Sequence, residues 1–161
     1  MSLIPLDHKV FTFYGVVRFI FPVDRNHSVT QRAFFDGDFN PIADGLVHHA
    51  SSKMTAPGVH RRPDCQAARI QLAHTRSIDL KAPFISIDCY ATAKGPVLGE
   101  LTHTPGGPWF GGLYRFSDAF DRDLGTAWRD ALKRLGREIP FLETSYVIRW
   151  KNGEVARRIP T

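Results

Sequence analysis

The stretch that decides the fold runs Pro83-Phe84-Ile85-Ser86-Ile87-Asp88-Cys89-Tyr90-Ala91-Thr92-Ala93-Lys94-Gly95-Pro96-Val97-Leu98-Gly99-Glu100-Leu101-Thr102-His103-Thr104. Two segments rich in Ile, Val, Tyr and Leu flank Ala93-Lys94-Gly95. A three-residue loop ending in glycine suits a type I turn followed by a left-handed residue. That register sets Asp88 opposite Glu100, Ser86 opposite Thr102 and Tyr90 opposite Leu98. The other face carries Ile85, Ile87, Cys89 and Ala91 against Val97, Gly99 and Leu101, which is an apolar, core-facing set. Directly opposed residues bring their Cβ atoms to about 4.5–5.5 Å, where like charges destabilise the pair. A cation is therefore expected beside Asp88 and Glu100. By spacing alone a plain salt bridge, from Lys94 or an arginine elsewhere, is the commoner outcome. The sharper alternative is Mg²⁺, which takes one or two carboxylates and completes its shell with water and phosphate oxygens. A slip of one residue would separate the two side chains onto opposite faces.

Outward from this hairpin, His8 to Val23 reads as two strands around Gly15, and Gln31 to Phe35 as a shorter strand. Residues 36–62 show no sustained period and read as a long loop. Pro63-Asp64 opens a helix to about Thr75, with proline where its missing N–H costs nothing. Ser117 to Leu135 is the clearest helix. Ser117 caps it, and Asp118, Asp121 and Asp123 lie near its positive end. Phe120, Leu124, Ala127, Trp128, Ala131, Leu132 and Leu135 form its apolar stripe, and Gly136 terminates it. Tyr146 to Ile159 reads as a hairpin around Lys151-Asn152-Gly153. The implied class is α+β: an antiparallel sheet covered by two helices on one face.

Composition narrows the function. The chain has 161 residues, the length of a single domain spanning 1–161. Lys and Arg number 21 against 16 Asp and Glu, a net charge of +5, which favours anionic partners. No stretch approaches the roughly 18–20 apolar residues of a membrane span, and the N-terminus lacks the pattern of a secretory signal. Cys65 and Cys89 form no Cys-x-x-Cys motif, so a reduced, cytoplasmic setting is expected.

Downstream of Asp88, Gly99-Glu100-Leu101-Thr102-His103-Thr104-Pro105-Gly106-Gly107 leads from a strand into a glycine-rich loop whose amides can approach anionic oxygens. It is neither a P-loop nor a dinucleotide fingerprint. Together with Ile4-Pro5-Leu6-Asp7-His8-Lys9-Val10-Phe11-Thr12-Phe13-Tyr14-Gly15, Asp24-Arg25, Arg32-Ala33-Phe34-Phe35-Asp36, Asp38-Phe39-Asn40 and Pro83 to Tyr90, it resembles the TupA-like ATP-grasp family over roughly residues 4–135. The Gly-Glu-Leu-Thr segment followed by Pro-Gly-Gly is the most specific piece.

The resemblance implies the C-terminal subdomain of an ATP-grasp fold, used in cell-envelope polysaccharide or teichuronopeptide biosynthesis. Such enzymes activate a carboxylate as an acyl phosphate, which an amine or other nucleophile then attacks. It implies ATP and Mg²⁺ as cofactors. Asp88 and Glu100 would hold the metal, and Lys9 would contact a phosphate. Arg25 would contact phosphate or substrate, and Thr102, Gly106 and Gly107 would complete the nucleotide site. Many members carry arginine where Ser86 stands and asparagine where Thr102 stands. The chain starts just ahead of the Lys9 strand, so the resemblance implies a truncated or split carboxylate ligase, its nucleotide-covering half supplied by a partner chain. Substrates would be a nucleotide and a carboxylate- or polysaccharide-type molecule.

The competing reading is a non-catalytic module for a phosphosugar or acidic polymer, served by the basic loop of His48, His49, His60, Arg61 and Arg62. Those histidines lack metal-ligand spacing. Lys9 also reads as a solvated strand lysine and His103 as a packed histidine. Trp109, Phe110 and Tyr114 read as core closure, and Arg157-Arg158 as strand decoration. Ser28 and Thr30 have no triad partners. Single-stranded nucleic acid is disfavoured, because the aromatics lie on apolar faces away from the basic residues.

Overall fold

Apolar residues occupy consecutive positions in the first two long strands, and a strand of that kind is buried on both faces. The computed structural model describes residues 4–49, 55–104, 114–137, 149–151 and 154–156. Strand β1 (Asp7–Phe13) turns through Tyr14-Gly15 into β2 (Val16–Asp24). Both turn residues have positive φ, 43° and 85°, as a two-residue hairpin of the mirror-image type requires. Short strands β3 (Thr30–Arg32), β4 (Phe35–Asp36), β5 (Val47–His49) and β6 (Thr55–Pro57) follow. Helix α1 (Gln66–Asp79) precedes the hairpin β7 (Ile85–Thr92) and β8 (Gly95–Thr102). Then come β9 (Tyr114–Phe116) and helix α2 (Asp118–Arg134). Strands β10 (Arg149–Lys151) and β11 (Glu154–Ala156) form a separate hairpin, as their sequence implies.

The main sheet has the order β6-β3-β2-β1-β7-β8, with β4 also on β2. Its pairs are antiparallel except β3–β6, which is parallel. The fold is thus α+β with a largely antiparallel sheet and two helices, as expected. The helices, however, lie on opposite faces. Ala73 of α1 packs with Val10, Ile20, Ile85, Ile87 and Cys89. Leu124 and Ala131 of α2 pack with Phe11, Phe13, Phe19 and Phe21. Alternation along β1 and β2 sends neighbouring residues to different cores, so one helix could not cover both sets.

Other boundaries shift in the same spirit. The expected strand 31–35 is split in two, and the loop 36–62 contains β5 and β6. Helix α1 begins three residues after Pro63 and continues past Thr75. Its buried stripe is Arg69, Ala73 and Ser77, and its C-terminal half grips the first hairpin. Ser77 Oγ accepts from Gly15 N at 3.1 Å, and His74 Nδ1 lies 2.7 Å from Gly15 O. Helix α2 matches its sequence signals. The Ser117 hydroxyl accepts from Phe120 N at 3.2 Å, and Gly136 has φ of 64°. Trp128 departs from the expected stripe. It is 45% exposed and stacks on Phe84 at 5.8 Å.

The face covered by α1 buries His8 completely. Burial, then the nearby Arg69 charge, lowers its pKa from 6.5 to about 3. A histidine whose folded pKa lies below its unfolded value contributes stability above the unfolded value, lost as pH falls toward the folded one. Between pH 6.5 and about 3, His8 should therefore withdraw stability at a limiting slope of about 1.4 kcal/mol per pH unit. Denaturant unfolding at a series of pH values should show this slope, and His8→Gln should flatten it.

Candidate functional site

Pairing of three strands brings charged residues from distant parts of the chain into one row. Lys9 of β1 pairs with Asp88 of β7, and Asp88 pairs with Glu100 of β8. The Asp88–Glu100 and Ser86–Thr102 pairings are those the sequence implies. They are reached by a different route. The turn has two residues, since Thr92 already pairs with Gly95. A bulge between Asp88 and Cys89 then absorbs Gly99, so that Leu98 opposes Cys89 and Val97 opposes Tyr90. A shorter turn and one extra residue restore the register at the carboxylates. Gly99 is needed there, because a Cβ would sit 2.7 Å from the Tyr90 ring.

The cation beside Asp88 is Lys9, not Lys94. Lys9 Nζ forms a close ion pair with Asp88 Oδ2 and lies 3.5 Å from Asp7 Oδ2. Arg25 donates from both Nη1 and Nη2 to that same Asp7 oxygen, each at 3.1 Å. Ser86 Oγ donates to Asp88 Oδ1 at 3.3 Å, and Thr102 Oγ1 to Glu100 Oε1 at 3.1 Å. Lys9, Arg25, Asp7, Asp88 and Ser86 thus form one bonded network, and Glu100 with Thr102 stands beside it through the pairing of β7 with β8. Asp7 was not singled out in the sequence, because nothing local marks it. Gly106 and Gly107 lie outside the described residues, as do Trp109, Phe110, Arg157 and Arg158.

Burial is graded across the row. Asp7 and Asp88 are buried, while Glu100 lies exposed on the edge strand. Burial raises the Asp88 pKa above its ordinary value; Lys9 pulls it down, and the charges of Asp7 and Glu100 push it up. Three carboxylates therefore crowd one lysine and one arginine. Among the described residues no group of three or more His, Cys, Asp or Glu side chains could hold a metal alone. A pair of carboxylates suits Mg²⁺, which keeps several waters and takes phosphate oxygens for its remaining positions. The crowding around Asp88 fits such an ion, since an added cation would relieve it.

The remaining candidates lie elsewhere. His103 is exposed beyond the end of β8, not packed, because an edge strand has no layer over its outer end. Tyr114 is buried in the aromatic core, as expected. The His49 ring lies tilted against Phe34 at 4.6 Å, and Phe34 N donates to His60 Nε2 at 3.4 Å. No helix among the described residues is long and apolar enough to cross a membrane.

A family model described as TupA-like ATPgrasp matches residues 4–129. No curated protein matches the chain. Two of the similar solved structures are of one ligase. One is the ATP-grasp ligase PsnB complexed with minimal precursor, at 12% identity and a TM-score of 0.39, covering 81% of this chain and 35% of that one. The other is PsnB with a phosphomimetic variant of minimal precursor, Mg and ADP, at 13% identity and a TM-score of 0.40, covering 81% and 34%. The chain spans about a third of the length of those proteins.

The Lys9–Asp88 pair should be coupled energetically. Lys9→Met leaves a buried carboxylate without its cation and should cost about 1–3 kcal/mol. Adding Asp88→Asn should recover part of the loss. A double-mutant cycle by chemical denaturation should give a coupling of about 1–3 kcal/mol; strict additivity would contradict the pairing.

Proposed function

The chain belongs to the TupA-like ATPgrasp family, and from that premise we propose that it is a Mg²⁺- and ATP-binding domain of a carboxylate ligase. The observation that carries this reading is the row Lys9–Asp88–Glu100, with two opposed carboxylates and a lysine already in register across three adjacent strands. Asp88 and Glu100 are the residues suited to hold Mg²⁺. The ion would neutralise phosphate charge and align the transferred group.

The chain's own residues have separable tasks. Lys9 is a point charge for phosphate, and its present hold on Asp88 keeps the lysine in the row. Arg25, clamped on Asp7, offers a guanidinium to a phosphate or to the substrate carboxylate. Thr102 orients Glu100 by its hydroxyl and offers an oxygen beside it. Gly106 and Gly107 would bring backbone amides to the phosphates. The proposed setting is the cytoplasm, and the proposed substrate a carboxylate- or polysaccharide-type molecule of envelope biosynthesis. The half that covers the nucleotide is proposed to come from outside residues 1–161, on a partner chain or a further segment.

Calorimetry with ATP tests this reading. Binding is expected only with Mg²⁺ present. Glu100→Gln, at an exposed position, should weaken the Mg²⁺-dependent binding about tenfold or more without loss of folding, and Asp88→Asn should do likewise. Absence of ATP binding at millimolar Mg²⁺, or binding indifferent to Mg²⁺, would overturn it.

A further inference from the structure

A cation without an anion stands on the same face of the sheet as the candidate site. Arg32 of β3 pairs with Val23 of β2, and Val23 pairs with Asp7 of β1. Directly paired residues project from one face of a sheet, so Arg32, Val23 and Asp7 form a second row beside Lys9–Asp88–Glu100. Two strand spacings set the Arg32 and Asp7 backbones roughly 9–10 Å apart. Arg25, just beyond the end of β2, stands by both. It donates to Asp7 from two nitrogens, and its charge is felt at Arg32. Burial lowers the Arg32 pKa; Tyr114 opposes that shift, and the Arg25 charge adds to it.

The Arg32 guanidinium is held in place but not satisfied. Its Nη1 donates to the hydroxyl of Thr55, itself a buried residue. Its Nε is buried without a hydrogen-bond partner, and no carboxylate among the described residues pairs with it. Its Nη2 has no partner among the described residues either, yet it is not sealed from solvent, and the residue as a whole is only half-buried. Close enough to feel the Arg32 charge, His49 Nδ1 is a second buried nitrogen without a partner. Partly desolvated charges are ordinarily paired, and here two arginines repel each other instead. Lys9, Arg25 and Arg32 stand against Asp7 and Asp88, an excess of one positive charge. That matches a carboxylate, whose single charge and two coplanar oxygens suit arginine's planar fork. A phosphate monoester, at about −1.5 to −2 charges, would overcompensate next to Asp7.

We propose that Arg32 and Arg25 together hold a carboxylate of the second substrate, with His49 as a flanking N–H donor. The arginines flank Asp7 on the β3 side and Asp88 lies on the β7 side, so carboxylate and nucleotide occupy neighbouring parts of one face. That the carboxylate belongs to a substrate rests on the proposed ligase function; the subsite itself does not.

Acetate is the probe, exchanged for chloride at constant ionic strength, with inorganic phosphate as the comparison. The Arg32 Nε–Hε resonance should move saturably with acetate, while that of Arg129, exposed on α2, stays still. Arg32→Lys keeps the charge but not the fork. Read from neighbouring backbone amides, it should weaken acetate binding about tenfold, as should Arg25→Gln. Arg129→Gln removes one positive charge elsewhere and should leave the affinity within about twofold. The Arg25 side chain is 45% exposed, so Arg25→Gln carries the test should Arg32→Lys fail to fold. These titrations contain no nucleotide. Absence of ATP binding would overturn the ligase reading and leave them intact. With Mg²⁺ and ATP present acetate should still bind; mutual exclusion would give the arginines to phosphate and overturn the proposal. So would an Arg32 resonance indifferent to acetate, tighter binding of phosphate than of acetate, or full acetate affinity in Arg32→Lys or Arg25→Gln.

Discussion

A lysine held against a buried carboxylate at the middle of the sheet is the contact on which the candidate site depends. Lys9 and Asp88 stand on neighbouring strands, 79 positions apart in sequence. Burial alone raises the Asp88 pKa, and the lysine opposes that shift. Asp7 and Arg25 extend the arrangement by one more opposed pair, and Glu100 extends it outward to solvent. Charge therefore alternates from Arg25 through Asp7 and Lys9 to Asp88, and Glu100 adds a second negative charge opposite Asp88. This is how three acidic groups coexist on one face, and it leaves Glu100 as the carboxylate most open to an arriving cation.

The row keeps its place because the strands beneath it have no freedom to slide. Val10 and Phe11 are adjacent in sequence yet belong to different cores. A slip of one residue would send Phe11 into the layer under α1 and Lys9 toward Ala73, exchanging the two faces. The aromatic layer under α2, in which Phe11, Phe19, Phe21, Phe34 and Tyr114 meet ring to ring, resists that exchange. Packing on both faces thus holds the polar network in register. The same two-sidedness places the buried Arg69 on the face opposite the carboxylate row.

Features set by contacts within a few residues were legible. The cap at Ser117, the stop at Gly136 and the pairing of Asp88 with Glu100 all follow from local turn and helix chemistry. The route to that last pairing was not legible, since a two-residue turn with a bulge and a three-residue turn without one end in the same opposition. The Tyr90 ring over Gly99 is a contact that spacing alone cannot reveal. Asp7 escaped notice for a similar reason: its importance comes from Arg25 and Lys9, and each alone reads as an ordinary surface charge. Arg69 was hidden by composition, because an arginine on an amphipathic helix normally lies on the solvated side.

From its residues alone this protein was determined to be an α+β chain with an acidic pair on one hairpin, a capped helix and a TupA-like ATP-grasp signature, for each of these is written in neighbouring side chains. Only the tertiary structure decided that Lys9 is the cation at Asp88, that the two helices take opposite faces, and that an arginine lies fully buried in the core. Those outcomes turn on which strand lies next to which and on which side each helix folds down. Both are settled by competition among distant apolar surfaces for burial, a collective quantity that no short stretch of sequence contains.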